Sequence, residues 1–191
     1  LEVRDSSEEE LYQLCEFLTG RVIEASETAG DRITDTKAMS FKEAWRLGHD
    51  GVKAMEKLGR SYPALGGYYP NPKPVRISWI LSVQQLSGIY SPFTVEANFN
   101  RKMTPYNIPH TVCHELSHLK GFMREDEANF AGYLACVESD SPEFQYSGYL
   151  MGWIYATNAL YRENPESYFQ LYSRLPPVVM EDLNANSLFW D

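Results

Sequence analysis

Only three cysteines, Cys15, Cys113 and Cys136, occur in the 191 residues. They are too few and too scattered for a disulfide framework. Cys113 and Cys136 fall in apolar helical patterns, where a free thiol serves as a small hydrophobe. All three read as structural, because a reactive thiol needs an electropositive, exposed setting. Basic residues are outnumbered, 17 Lys and Arg against 26 Asp and Glu, for a net charge of −9. Nucleic-acid binders gather Lys and Arg, so no nucleic acid is expected as partner. Long apolar runs are missing too. No stretch reaches the roughly 18 uncharged apolar residues that a membrane span requires, and there is no signal-peptide pattern. The first residue is Leu1 rather than Met, so the chain is expected to be a piece of a longer protein, with any membrane segment elsewhere.

What is present suits one folded domain. Hydrophobic residues make up 43% and charged residues 23%, ordinary for a soluble core of this length. Ser7-Glu8-Glu9-Glu10 and Ser40-Phe41-Lys42-Glu43 both have the capping-box form, each opening a helix. The first carries Leu11, Leu14, Cys15, Leu18 and Val22 at helical spacing, the second Trp45, Gly48, Val52 and Met55. Residues 59–74 are rich in Gly, Pro and Tyr, which is loop chemistry. Val75 to Leu81 reads as a strand, and so does the alternating segment Thr94 to Asn100. Pro109 suits the first turn of a helix that should stop near Gly121. Further helices are expected from about Arg124, over about 145–162, from Asn164-Pro165-Glu166 and after Pro176-Pro177. The order gives a single α+β, helix-rich domain over 1–191, with a helical part and loop in 1–74 and a small sheet before the central helix in 75–191.

The chemistry concentrates in His114-Glu115-Leu116-Ser117-His118. Residues four apart stack on one helix face, so two imidazoles there can hold one Zn²⁺. A carboxylate between them can take a proton from the metal-bound water, whose pKa zinc lowers towards 7. Glu115 is therefore the candidate general base. Apolar Val112, Cys113, Leu116 and Leu119 surround this polar stripe, which marks a buried helix rather than a solvated face. A catalytic zinc takes three protein ligands. Gly121 fits the turn of one zincin pattern, but the position of its third His is Arg124, which cannot ligate. Glu125, Asp126 and Glu127 follow. Glu125 shares a face with Asn129, a poor mid-helix residue better explained as a partner that holds a ligand. Glu125 is thus the preferred third ligand and Glu127 the alternative, while Asp126 fits simple helix stabilisation.

Glu125-Asp126-Glu127-Ala128-Asn129 resembles the Glu-x-x-Ala-Asn/Asp element of the gluzincin peptidases. Gly88 to Thr94, Glu96-Ala97-Asn98, Cys113 to His118, Gly121-Phe122, Arg124 to Phe130 and Tyr146 to Leu150 are similar to the bacterial DUF3810 family. The resemblance runs from about Ser7 to the C-terminus. It implies a zincin-like metallopeptidase with one zinc per chain and a peptide or protein substrate. It also implies a membrane protein whose spanning segments are absent from this chain, with the domain on the extracytoplasmic side. In gluzincins an edge strand before the active-site helix binds the substrate backbone, and Val95 to Phe99 is placed for that role. His110, one turn before His114, is either a group supporting a ligand or a stray surface histidine, and the surface reading is preferred. Tyr146, Tyr149 and Tyr155 are candidates to stabilise an oxyanion, although most of the 13 tyrosines must serve packing. Two other readings remain: a metal-holding binding or sensor module without turnover, and a hydrolase of cell-wall amides.

Overall fold

A computed structural model describes residues 6–29 and 39–191. The parts of the expected domain at 1–5 and 30–38 lie outside the described residues. Helix α1 covers Glu8–Ala29 and α2 covers Phe41–Ser61. Both capping boxes form: the Glu10 amide donates to Ser7 Oγ at 3.2 Å, and the Glu43 amide donates to Ser40 Oγ at 3.3 Å.

The buried face of α2 differs from the expected stripe. Ala44, Leu47, Gly51, Ala54 and Leu58 join Gly48 and Met55 in the interior, whereas Trp45 is exposed. Small residues win this face because a helix packs against it closely. A Cβ on Gly51 would stand 2.2 Å from Val112 Cγ1.

A short 3₁₀ turn at Pro63–Leu65 leads to strand β1, Lys73–Pro74. The expected strand over 75–81 is instead helix α3, Ser78–Val83. Its apolar residues do not alternate. Ser78 and Leu81 are buried one turn apart, and the Ser78 hydroxyl donates to the Val75 carbonyl. Strands β2, Gly88–Ser91, and β3, Glu96–Phe99, complete a sheet of order β1-β3-β2. β3 runs parallel to β1 and antiparallel to β2. The alternating segment therefore forms the centre of the sheet. It cannot be the free edge expected of Val95 to Phe99, and β2 occupies that edge.

Helices α4, Asn107–His118, and α5, Glu125–Val137, follow, then α6, Pro142–Glu163, α7, Pro165–Tyr172, and α8, Pro177–Trp190. The result is α+β with helix in excess. α4 lies at the centre, packed by α2, α5, α6 and β3. Ile108, Val112, Cys113 and Leu116 pass from it into a core with Leu47, Phe99 and Phe144. Truncating one such fully buried Leu to Ala costs about 2–5 kcal/mol, so the helix that bears the histidines is firmly seated. A second cluster of Leu18, Val22, Tyr106, Tyr146, Trp153 and Val179 joins α1, α6 and α8. All three cysteines are buried and free, as small hydrophobes are. Among the described residues no helix is long and apolar enough to cross a membrane.

Candidate metal centre

Two helices and a turn build the site. α4 ends at His118, and Gly121 turns the chain at φ +87, a conformation that suits glycine. α5 then begins at Glu125, with its first turn beside the end of α4. His114 Nε2 lies 3.1 Å from His118 Nε2 and 3.3 Å from Glu125 Oε2, and His118 Nε2 lies 3.6 Å from Glu125 Oε1. Among the described residues these three side chains form a group able to hold one ion. Ligands bound tetrahedrally at about 2.0–2.1 Å from one ion stand about 3.3 Å apart, and the observed separations bracket that value. Glu127 is outside the group, so geometry favours Glu125 over the alternative.

The imidazoles are oriented from behind. His118 donates its Nδ1–H to the Phe122 carbonyl at 2.7 Å, which leaves Nε2 with its lone pair towards the other donors. The Tyr90 ring stacks on His118 at 6.1 Å between centroids. His114 Nδ1 is buried without a well-formed hydrogen bond, but Asn129 lies on its side and favours the protonated ring. Burial and the neighbouring His118 act against that and hold the His114 pKa below its ordinary value. Asn129 lines the cleft together with His114 and Glu125.

His110 is not a surface residue. It is buried, and its Nε2–H donates to the Asn129 carbonyl at 3.1 Å. Burial, with the charge of His114, pushes its pKa down to about 4. Gly132 makes the room: a Cβ there would meet His110 Nε2 at 3.3 Å. The sequence holds no local signal for this burial, because Gly132 lies on another helix.

Glu115 is 5% exposed and points into the same centre. Burial, reinforced by the charge of Glu125, raises its pKa to about 8. Space for it exists because residue 88 is glycine. An added Cβ would lie 2.3 Å from Glu115 Oε1.

The cleft has two lobes that meet at His114 and Glu125. One, of about 450 Å³, includes Gly88, Ile89, Tyr90, Glu115, His118 and Met123 in its lining. The other, of about 330 Å³, includes His110, Asn129, Met151, Tyr155, Asn186 and Trp190. Gln85, at the junction of the lobes, has φ 55 and donates from its side chain to the Trp190 carbonyl.

The three tyrosines separate. Tyr146 is buried and donates to Asp182 Oδ2 at 2.6 Å. Tyr149 accepts from Arg21 Nη2 at 3.0 Å and carries that guanidinium over its ring. Neither lines the cleft. Tyr155 does; its side chain is half exposed, and partial desolvation together with the charge of Glu125 raises its pKa. Tyr90 and Gly88, on the strand absent from the sequence reading, complete the site.

A family model described as protein of unknown function, DUF3810, matches residues 1–191. The chain belongs to the DUF3810 family. Neither a curated protein nor a solved structure matches it. In this DUF3810 domain His114, His118 and Glu125 come together at one point, with Glu115 in the lining of one lobe and Tyr155 in that of the other.

Proposed function

We propose that this domain is a zinc metallopeptidase of the gluzincin type, with a zincin-like fold, that hydrolyses peptide bonds. One observation carries the reading: the donor atoms of two imidazoles and one carboxylate converge at tetrahedral spacing, beside a buried carboxylate that the ion does not need. His114, His118 and Glu125 would hold the zinc. When bound, zinc acts as a Lewis acid that polarises a carbonyl and lowers the pKa of water towards 7.

The remaining chemistry belongs to the chain. Burial favours the protonated form of Glu115, but the positive charge of a bound ion would hold the carboxylate ionised; it then accepts the proton of the attacking water and later gives it to the leaving amine. Tyr155 donates its hydroxyl hydrogen to the oxygen that gains charge in the transition state. The outer edge of β2 binds the substrate backbone. The Asn100 amide donates to the Ser87 carbonyl at 2.7 Å, so in this antiparallel register Gly88 and Tyr90 turn their backbone groups to the free side. As part of the same reading, segments outside this chain tether the domain to a membrane on the extracytoplasmic side. Protease shaving of intact cells should then remove it, and protection until lysis would reverse the orientation.

The test of activity compares wild type with Glu115→Gln, which keeps the shape but cannot take the proton. Peptide hydrolysis should fall by about 10² to 10⁴, with bound zinc and melting temperature unchanged. Equal rates on a confirmed substrate would leave a metal-holding module as the better description.

A further inference from the structure

Three apolar side chains, Leu86, Ile89 and Met123, stand among the mostly polar lining of the lobe around Glu115, and neither lobe holds a cationic side chain among the described residues. Around Glu115 and His118, the side chains of Leu86, Ile89 and Met123 remain 38%, 40% and 59% exposed. Single exposed apolar residues are ordinary, but several grouped in one cleft and rimmed by polar groups mark a binding surface. Phe93 and Val95, in the β2–β3 turn, are 97% and 54% exposed. Neither lobe contains a Lys or Arg among the described residues. A C-terminal carboxylate or an acidic side chain would find no partner there. Of the lining carboxylates, Glu125 would hold the ion and Glu115 is buried beside it, so on that reading neither is spare to receive an N-terminal ammonium.

On the reading of this site as a peptidase, we infer that the cleft takes an interior, extended stretch of polypeptide with apolar side chains, seated among Leu86, Ile89 and Met123, and recognises neither chain end. Interior segments bring neutral backbone and no terminal charge. Their apolar side chains cover the surface that this rim leaves open, and each well-buried one strengthens binding about tenfold or more.

The test measures binding without turnover. Fluorescent peptides with both ends blocked are titrated into the zinc-loaded Glu115→Gln domain and followed by anisotropy. A peptide with Leu and Phe at its centre should bind about tenfold or more tightly than one with Asp in those positions. Exposing either terminus should give no gain. Ile89→Asp and Met123→Asp should each weaken the apolar peptide by about tenfold, with melting curves confirming the fold. Both side chains are exposed, so either variant can serve if the other unfolds. Equal binding of the two peptides, a gain from a free end, no effect of the variants, or no binding at all would overturn the inference. The two readings fail differently. Apolar binding without cleavage by wild type removes the peptidase and keeps the ligand class. Cleavage with no preference for interior apolar segments does the reverse.

Discussion

Gly88 lies against Glu115 so closely that a methyl group on it would stand 2.3 Å from Oε1. Strand and helix thus fix the carboxylate between them, and the missing side chain is what lets it face the metal donors. Gly88→Ala should displace Glu115 and leave the donors alone. The expected result is a loss of hydrolysis by about tenfold or more, with zinc content intact. Unchanged rates would show that the carboxylate is not held by this contact.

Metal binding should follow the donor set. The domain should hold close to one zinc per chain, and His118→Ala should abolish it. Glu125→Ala should weaken affinity far more than Glu127→Ala, and Asn129→Ala by about 10–100-fold, the usual effect of losing a group that supports a ligand. Removing the ion with a chelator should lower the melting temperature. Metal analysis and calorimetry check each outcome, and full occupancy in His118→Ala would refute the assignment.

Tyr155 and Tyr146 should part company. Tyr155→Phe should reduce kcat by about 10²–10³, as loss of an oxyanion donor does, with KM and stability little changed. Tyr146→Phe should leave kcat alone. It would instead cost about 1–3 kcal/mol in denaturant unfolding, because buried Asp182 loses its donor.

Asp182 gives a pH dependence away from the metal. Its burial raises the carboxyl from 3.8 to about 6, against the hydrogen bond from Tyr146 and with a small push from Glu181. The folded state therefore holds that proton more tightly than the unfolded chain. Its contribution is full below about pH 4 and is lost as pH rises through about 6. Asp182→Asn retains an acceptor for Tyr146, so it should flatten this part of the stability curve and raise the melting temperature at neutral pH. Parallel curves for the two proteins would contradict the assignment of the shift.

The centre of the site was legible because its information is local. His114, His118, Glu125 and Asn129 lie on two successive helices, where spacing alone decides which residues share a face. The capping boxes at Ser7 and Ser40 were readable for the same reason. What escaped the sequence depends on packing between distant segments. The strand at Gly88 has only four residues, beginning with a glycine, and is defined by its pairing with β3 rather than by its two β formers, Ile89 and Tyr90. Trp45 lost its expected place because Gly51 admits Val112 more closely than any large residue could. His110 is buried by Gly132 from another helix, and Tyr155 separates from Tyr146 and Tyr149 only when α6 takes up its position.

All three metal donors sit in one short stretch of chain, from the end of α4 to the start of α5. Bringing them together closes only a small loop, which costs little chain entropy. The long-range packing of α1 on α6 is not needed for it. On the proposed reading of these residues as zinc ligands, an isolated peptide spanning the two half-helices should therefore bind the ion without the rest of the fold.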